Sequence, residues 1–385
     1  MTLEELKFFS TQEGRALLAE VSDSSGDDLT KLTALRKRYP PEFCRAGLNL
    51  DEQRKRGLAK FSRAQEMVFD REALEQASGE SIAGYRSRRY KGFGVIGDIC
   101  CGIGGDAIGL TQVGDVISVD WDPSRVGMTR WNVAAYGRFG RHRAVVARAE
   151  DWLPDVDALF LDPGRRSGAR RFHRLADYQP RIDLDRLFAI TPNLGVKVAP
   201  GISYDEIPEQ CETEFISDSG SCKEAVLWFG ELRTQVTRRA TVLPQDETLV
   251  LTDIGTVDVK KPGSYLYEPD RAVIRAHLID QLAHLLGAWK LDEEVAYLSS
   301  DVAHETPFAA RYRILDVFPF SLKRLRTFVR DNGVGRLDIK KRRFPMTPEQ
   351  LRPKLKLEGD AHASIVLTRI DDWPTVLVCE AKGAK

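Results

Sequence analysis

Acidic residues follow predicted strands at four places between residues 98 and 162, and glycines accompany the first of them. That first acid lies in Asp98-Ile-Cys-Cys-Gly102-Ile-Gly104-Gly105-Asp106, where a predicted strand enters a turn that opens a predicted helix. Backbone N–H groups and the positive end of the helix dipole face a ligand at such a turn. Gly102 and Gly104 carry no Cβ and let the backbone approach that ligand. We therefore expect a cofactor here, against Cys100 and the two glycines.

The later acids end the second, third and fourth predicted strands. Asp120 comes twenty-two residues after Asp98 and could accept both hydroxyls of a ribose, in NAD or in an adenosyl cofactor. After the third strand, Glu150 or Asp151 could receive an adenine amine. Asp162, which Pro163 follows, could accept a hydrogen bond from an amine or orient a nucleophile. Four successive strands ending in acids form a more specific pattern than the glycines alone.

The glycine spacing does not by itself decide the cofactor. Gly102-x-Gly104-x-x-Ala107 also fits the dinucleotide fingerprint, so an NAD-dependent oxidoreductase remains an alternative. Asp98 argues against that alternative, because it would repel a diphosphate and hold the cationic amino group of a methionyl moiety. A nucleophilic role for Cys100 or Cys101 would require an activated thiol that faces the acceptor, and burial beneath the cofactor is the favoured interpretation.

The elements that position these acids alternate between strand and helix. Strands separated by helical segments predict βαβ units in a doubly wound, mostly parallel sheet, and ligands bind beyond the carboxyl ends of its strands. The predicted strands cover 95–100, 116–120, 144–147, 158–161, 195–199 and 223–229, and the predicted helices cover 106–112, 123–136 and 184–190. The expected fold class is α/β, with this Rossmann-like sheet at its centre.

The remaining sequence divides into three further parts. Residues 1–92 have apolar residues at helical spacing, and residues 243–262 are polar and predict a linker between the sheet domain at 93–242 and a final domain at 263–385. We expect that last domain to be α+β. Its predicted strands cover 295–299, 311–317, 336–339, 364–369 and 376–379, and its predicted helices cover 270–286, 321–332 and 348–355.

Basic residues are concentrated in four segments, although the chain has 57 Lys and Arg against 57 Asp and Glu. One of these segments is the cluster Arg86, Arg88, Arg89 and Lys91 just before the first predicted strand. Residues 36–63 carry a net charge of +6, and residues 311–356 carry +10, including Lys340 and Lys341. Arg165 and Arg166 begin an arginine-rich loop directly after Asp162. Such runs are either solvated faces or contacts to phosphates. We predict that Arg165, Arg166, Lys340 and Lys341 contact a phosphate-bearing acceptor.

Composition excludes several other classes of protein. The six cysteines form no CxxC pair, and the six histidines show no ligand spacing apart from a loose pair on the predicted helix over 270–286. This predicts no metal site, no disulfide scaffold and a reducing cytoplasm. No uncharged stretch approaches the ~18 apolar residues of a membrane helix. The first residues are acidic and amphipathic, unlike a secretory signal.

Several motifs resemble those of known methyltransferases. Asp98-x-x-Cys101-Gly102-x-Gly104, Asp120 and Asp162-Pro163 resemble class I S-adenosylmethionine-dependent methyltransferases, and the glycine loop is similar to that of trimethylguanosine synthase-like enzymes. From about Leu32 onward, the chain resembles bacterial methyltransferases that end in a THUMP-like domain. The motifs behind this second resemblance are Leu-Asp162-Pro-Gly-Arg-Arg, Val196-Lys-Val-Ala-Pro-Gly-Ile202, Lys223-Glu-Ala-Val-Leu-Trp228, Tyr265-Leu-Tyr-Glu-Pro-Asp270 and Gly333-Val-Gly-Arg-Leu-Asp-Ile-Lys-Lys341.

The resemblance implies S-adenosylmethionine as the cofactor and RNA as the expected substrate, docked by a THUMP-like domain. It implies that Asp98, Gly102 and Gly104 hold the methionyl end, Asp120 the ribose and Glu150 the adenine amine. Asp162 and Pro163 would stand where the methyl group is delivered. A non-catalytic RNA-binding protein that retains the fold is a further alternative.

The chain departs from the family pattern after Asp162-Pro163. Amino-methylating relatives carry an aromatic residue there that stacks on the target base, whereas this chain has Gly164-Arg165-Arg166. A guanidinium could stack on the base, the arginines could bind phosphate, or the acceptor could be something other than a base. The acceptor atom therefore stays open.

Overall fold

The computed structural model describes residues 1–164, 166–167, 170–171 and 175–380. It divides into two compact units, one of Met1–Ile216 with Lys223–Thr237 and one of Ser217–Cys222 with Arg238–Lys385. Among the described residues, no helix combines the length and the apolar character that crossing a membrane requires.

Helices form the first part of the first unit, as predicted. Pro40 and Pro41 separate two of them, and Pro41 takes the first helical position, where a missing N–H costs nothing. Asp27 and Asp70 cap two others by accepting backbone N–H groups. The helices are α1 (Leu3–Ser10), α2 (Gln12–Asp23), α3 (Asp28–Leu35), α4 (Pro41–Gly57), α5 (Arg71–Gln76) and α6 (Glu80–Ser87).

A sheet with a parallel centre follows these helices. Its elements are β1 (Val95–Ile99), α7 (Gly105–Leu110), β2 (Asp115–Asp120), α8 (Pro123–Ala135), β3 (His142–Val146), β4 (Ala158–Leu161), the short pair β5 (Arg166–Ser167) and β6 (Arg170–Arg171), α9 (Leu184–Phe188), β7 (Leu194–Val198), β8 (Glu212–Asp218) and β9 (Ser221–Trp228). Apart from β5 and β6, the strand order within this unit is β8-β9-β7-β4-β1-β2-β3.

The order of the strands places a switch point at β1 and β4. Strands β1, β2 and β3 run parallel in one direction across the sheet, whereas β4 and β7 continue parallel on the other side of β1. Strand β9 pairs antiparallel with β7. Ligands of doubly wound sheets bind at such a switch point, beyond the carboxyl ends of the strands. The prediction of a doubly wound sheet is confirmed.

Strand β8 was absent from the sequence-based expectations, and buried charge explains why. Its residues Glu212 and Glu214 are fully buried, which the sequence pattern alone does not suggest. Arg89 lies at the end of the helical region and pairs with Glu212 at 2.7 Å and with Glu214 at 3.1 Å. Next to it, Tyr90 donates a hydrogen bond to the Leu159 carbonyl at 3.0 Å. The helical region and the sheet therefore share one interior.

The second unit is α+β. Its elements are β10 (Arg238–Leu243), β11 (Glu247–Val250), β12 (Tyr265–Pro269), α10 (Arg271–Arg275), α11 (Ile279–Leu286), β13 (Trp289–Asp292), β14 (Val295–Ser300), β15 (Ala309–Pro319), α12 (Leu322–Asp331), β16 (Val334–Lys341), α13 (Pro348–Leu351), β17 (Ala361–Ile370) and β18 (Trp373–Cys379). A seven-stranded sheet has the order β13-β14-β12-β15-β18-β17-β16, and β10 and β11 form an antiparallel pair within the segment around the predicted linker.

The single helix predicted over 270–286 was wrong. The structure has α10 and α11 instead, separated by His277, whose φ of 54° lies in the left-handed region. A residue in that conformation cannot continue a right-handed helix. Apolar residues continue at helical spacing across this break, so the periodicity alone did not reveal it.

Helices α12 and α13 pack on the same apolar cluster of the second unit. Leu325 and Val329 of α12 join Leu351 of α13 against buried residues of β17 and β18, including Ile365 and Val376. The two helices therefore form one layer, and their opposite faces meet solvent.

Candidate functional site

A cavity of about 1040 Å³ opens in the first unit at the carboxyl ends of the parallel strands. The segments that follow β1, β2, β3 and β4 contribute to its wall, as the predicted fold requires. Two further segments, 72–78 and 177–181, supply residues of the wall that no sequence motif indicated. The acidic side chains on this wall are Glu72, Glu75, Asp106, Asp120, Asp122, Glu150, Asp162 and Asp177, and the basic ones are Arg125, Arg148 and Arg181.

The glycine loop has the backbone conformation that its sequence predicts. Gly102 and Gly104 have φ values of 56° and 82°, which L side chains rarely adopt. A Cβ on Gly104 would lie 3.0 Å from the Thr129 side chain, so the loop also needs glycine there for packing. Gly102 and Cys100 line the cavity, whereas Gly104 is not part of its wall.

Asp120 lines the cavity and fixes the glycine loop. One carboxylate oxygen accepts a hydrogen bond from the Gly102 N–H at 3.0 Å, and the other accepts one from the Asp122 N–H at 3.0 Å. Burial raises the pKa of this carboxyl group. A carboxylate has about four acceptor positions, so each oxygen retains capacity for a ligand hydroxyl. The ribose contact stays a prediction.

Asp98 does not line the cavity. Its side chain is fully buried, and its Oδ2 accepts a hydrogen bond from the Ser118 hydroxyl at 3.0 Å. Oδ1 has no hydrogen-bond partner within the described part of the chain. Burial, together with the nearby Asp106, raises the pKa of Asp98 well above its usual range. The contact to a methionyl amino group stays a prediction, and this geometry gives Asp98 no direct opening to the cavity.

The two candidate adenine ligands differ in position. Glu150 is exposed and lies on the cavity wall, and its backbone carbonyl accepts a hydrogen bond from Arg186. Asp151 is exposed as well but is not part of the wall. Adjacent residues of an irregular segment point in different directions, which is why the sequence could not separate the two.

Asp162 and Pro163 lie on the cavity wall directly after β4. The Asp162 carboxylate accepts a hydrogen bond from the ammonium group of Lys197, a buried residue of β7, at 2.6 Å. Gly164 pairs through its backbone with Gln179 at 2.6 and 3.0 Å. Arg165 lies outside the described residues, and Arg166 is described only through the backbone of β5.

Two aromatic residues that were not among the predicted site residues line the cavity. Tyr178 lines it beside the Gly164–Gln179 pair, but its ring is buried and its hydroxyl accepts a hydrogen bond from the Ala199 N–H. Trp121 also lines the cavity and is 68% exposed. Its position directly after Asp120 in Asp-Trp-Asp-Pro was a signal that sequence analysis could have used.

The cysteines of the glycine loop do not have the properties of nucleophiles. Cys101 is buried, and its sulfur lies 3.5 Å from the Thr129 hydroxyl. Burial raises the pKa of both Cys100 and Cys101 well above the usual value. A reactive thiol needs a lowered pKa, so these surroundings favour the packing role.

Among the described residues, no group of His, Cys, Asp and Glu is arranged so that it could hold a metal ion.

Lys340 and Lys341 lie in the second unit on β16, and both have partners within it. The Lys340 ammonium pairs with Glu268 and lies 5.5 Å from the centre of the Tyr312 ring. Lys341 donates a hydrogen bond to the Phe344 carbonyl at 3.4 Å. Binding of an acceptor by these two lysines stays a prediction, and Glu268 already neutralises the charge of Lys340.

A doubly wound sheet with an acid-lined cavity at its switch point defines the class of Rossmann-like enzymes that bind an adenosyl or a dinucleotide cofactor. Comparison with protein families narrows this class. Residues 93–197 match the family described as RNA cap guanine-N2 methyltransferase, and residues 309–381 match the THUMP domain-like family. Residues 2–57 match a domain of unknown function.

Two curated relatives and one solved structure extend over most of the chain. Proteins of Mycobacterium tuberculosis strains CDC 1551 and H37Rv, each named an uncharacterized S-adenosylmethionine-dependent methyltransferase, are 35% identical over 313 residues, which is 79% of this chain and 85% of theirs. A crystal structure of a protein assigned as a methyltransferase, from Porphyromonas gingivalis W83, covers 98% of both chains with a TM-score of 0.78 and 20% identity, and it shows the shared fold.

The chain belongs to the family of S-adenosylmethionine-dependent methyltransferases. The predicted resemblance, fold class, enzyme class and cofactor are thereby confirmed, and an NAD-dependent oxidoreductase is not favoured. The residues of the cavity fit this cofactor. S-Adenosylmethionine carries cationic sulfonium and ammonium centres, and the loop is surrounded by Asp98, Asp106, Asp120 and Asp162. A cation near Asp98 would favour the charged form of that buried carboxyl group, whose Oδ1 lacks a hydrogen-bond donor.

Proposed function

We propose that this methyltransferase acts on RNA, either tRNA or rRNA, which its second unit docks. The observation that carries the proposal is a basic face on the α12–α13 layer. Exposed cations of α12 and of residues 352–356 lie on one layer, because the Arg326 guanidinium donates a hydrogen bond to the Lys354 carbonyl at 2.6 Å. The cations of this face are Lys323, Arg324, Arg326, Arg330, Arg352, Lys354 and Lys356.

Charge pairing distinguishes this face from the basic strand β16. Lys340, Arg342 and Arg343 pair with Glu268 or Glu294, so most of their charge is compensated. On α12, Arg330 pairs with the neighbouring Asp331, but no acid pairs with Lys323 or Lys354 within the described residues. Cations without acidic partners can release counterions from phosphates. The similarity of residues 309–381 to the THUMP domain-like family supports the same assignment.

The residues of the cavity suggest how the chain serves the reaction. When bound, S-adenosylmethionine supplies an electrophilic methyl group on its sulfonium. The glycine loop and Asp120 hold this donor, and Asp162 accepts a hydrogen bond from the acceptor and orients it. Positioning supplies most of the rate. The bond between sulfur and the methyl group breaks with its electron pair on sulfur, and the proton that an amine acceptor then loses passes to water.

Asp162, Tyr178 and the arginine loop bear on the identity of the acceptor atom. Asp162 could orient an exocyclic amine, in line with the similarity of residues 93–197 to a guanine-N2 methyltransferase family. The buried ring of Tyr178 is not free to stack on a base. A guanidinium of the arginine loop, beginning at Arg165 and Arg166, would have to stack on the base or bind its phosphate.

Transfer of a tritiated methyl group tests the proposal. Total RNA from a strain that lacks this protein is incubated with the enzyme and labelled S-adenosylmethionine, and nucleosides are then identified by mass spectrometry. We expect one labelled nucleoside with wild-type protein and at least a tenfold lower rate with Asp162→Ala, because a charged hydrogen bond contributes about 1.5–3 kcal/mol. Label in protein or small molecules but not in RNA would contradict the proposal.

A further inference from the structure

A continuous line of polar contacts starts at the cavity wall and ends in the interior of the first unit. The Asp162 carboxylate lies 2.6 Å from the Lys197 ammonium, which also donates to the Ser78 hydroxyl at 3.0 Å. Ser78 in turn donates to Asp106 at 3.1 Å and accepts from Arg86 at 2.9 Å. Arg86 pairs with Asp106 and lies 3.1 Å from Glu224.

Burial separates Asp162 from the other members of this line. The side chains of Lys197, Arg86 and Glu224 are at most 4% exposed, whereas the Asp162 side chain retains 20% of its exposure and faces the cavity. Buried charges are costly unless they are paired and hydrogen-bonded. The interior members therefore have little freedom, and they fix the position of Asp162, which is more exposed than they are.

The two oxygens of Asp162 have different surroundings. Oδ2 accepts the hydrogen bond from Lys197, whereas Oδ1 has no partner within the described residues. The backbone N–H of Asp162 donates to the Ile99 carbonyl at 3.1 Å, which anchors the residue to β1. A carboxylate held at one oxygen and at its backbone presents the other oxygen in one orientation.

Ser78 reaches this line from the helical region, and a lysine holds its segment in place. The Lys60 ammonium donates to the carbonyls of Leu74, Glu75 and Ala77 at 2.7–3.1 Å. These groups end α5 and immediately precede Ser78. The helical region thus contributes a hydrogen-bond acceptor for Lys197 as well as part of the cavity wall.

We propose that Lys197 is a positioning residue that holds the Asp162 carboxylate toward the methyl acceptor, and that Ser78 completes the site of the Lys197 ammonium. The proposal rests on the proposed role of Asp162. Lys197 does not contact the acceptor itself. It occupies Oδ2 and leaves Oδ1 for the acceptor.

Methyl transfer by substituted enzymes tests the positioning role. We expect Lys197→Met to lower kcat on the RNA substrate about 10–100-fold, the usual effect of losing a charged hydrogen bond, and to change the Kd of S-adenosylhomocysteine less than about threefold. Lys197→Arg should recover part of the loss. The double variant with Asp162→Asn should lose less than the product of the two single effects, because the residues act as a pair. Lys223→Met, an exposed lysine of β9, is the matched control and should behave as wild type.

A spectroscopic measurement tests the same contact without any acceptor. In protein with ¹⁵N-labelled lysine, we expect a protected ammonium resonance that disappears in Lys197→Met and shifts in both Asp162→Asn and Ser78→Ala. The proposal would be overturned by an unchanged kcat in Lys197→Met or by multiplicative effects in the double variant. It would also be overturned by an ammonium resonance that does not shift in Asp162→Asn. If wild-type enzyme labels no RNA, the proposed function fails instead, and the resonance alone decides whether Lys197 holds Asp162.

Discussion

Single carboxyl groups at neighbouring strand ends have different surroundings in this enzyme, and their expected contributions differ accordingly. Asp120 lines the cavity with both oxygens hydrogen-bonded to the surrounding backbone. Asp98 is fully buried beside Ser118, and the Ser118 hydroxyl lies 3.0 Å from the His142 imidazole. Asp120 is therefore available to a ligand, whereas Asp98 belongs to a buried chain that ends at His142.

Loss of the Asp120 carboxylate should weaken cofactor binding. We expect Asp120→Ala to reduce the affinity for S-adenosylhomocysteine by about 1–3 kcal/mol, measured by calorimetric titration, since hydrogen bonds to a charged group contribute about that much. Asp155→Ala is the matched control, because Asp155 is an exposed acid outside the cavity wall and should leave the affinity unchanged. Equal affinities for wild type and Asp120→Ala would refute the ribose assignment.

His142 should make folding stability depend on pH. Burial lowers the pKa of His142 to about 4 in the folded protein. Below the ordinary pKa of 6.5, the unfolded chain therefore binds a proton at this histidine that the folded chain does not bind. This contribution is complete above pH 6.5 and is lost as the pH falls toward 4. Relative to His142→Gln, wild-type protein should lose about 2 kcal/mol of unfolding free energy between pH 7.5 and pH 5.

Urea unfolding of both proteins at the two pH values measures that difference. Taking the difference between the proteins removes the opposing contribution of Asp98, whose pKa is raised. Parallel pH dependence in wild type and variant would show that His142 titrates normally in the folded protein.

At the scale of elements, helix α12 combines packing and charge on opposite faces. Leu325 and Val329 face the apolar cluster, while Lys323 and Arg326 face solvent. Ser321 caps the helix by accepting the Arg324 N–H. The same layer continues through α13 to Lys354 and places the basic residues of two segments on one surface.

Three lysines of that surface should contribute to RNA affinity. We expect Lys323→Gln, Lys354→Gln and Lys356→Gln together to weaken RNA binding and to reduce the slope of log K against log salt by about 2, since each phosphate contact to a single strand contributes about 0.7. Fluorescence anisotropy at several salt concentrations measures both quantities. Substitution of the exposed lysines Lys7, Lys91 and Lys261 by Gln is the control with equal charge change. Equal slopes for the two triple variants would contradict docking on this layer.

At the scale of the whole molecule, the first unit depends on contacts between residues far apart in sequence. Arg86 of α6 pairs with Asp106 of α7 and with Glu224 of β9, and its guanidinium lies 4.5 Å from the centre of the Phe160 ring. Arg89 adds the pairs with Glu212 and Glu214 described above. The helical region is therefore part of the same compact unit as the catalytic sheet.

Removal of one buried partner should destabilise that unit strongly. We expect Arg86→Met to lower the unfolding free energy by about 3–5 kcal/mol, because two buried carboxylates lose their cation. Urea unfolding measures the change, and Arg45→Met, at an exposed position of α4, is the control. A loss below about 1 kcal/mol would contradict a stabilising role of these buried ion pairs.

The sequence determined the parallel sheet and the acids at its strand ends, because hydrophobic period and glycine conformation are local properties and parallel strands bring their carboxyl ends to one edge. Only the tertiary structure decided which acids face the cavity, that Lys197 meets Asp162 across 35 residues, and that Arg89 allows Glu212 and Glu214 to form a buried strand. Pairing between buried charges depends on distance in space. A sequence pattern contains no information on distances in space. For this reason, strand β8, the cavity wall at 72–78 and the surroundings of Asp98 could be recognised only in the folded protein.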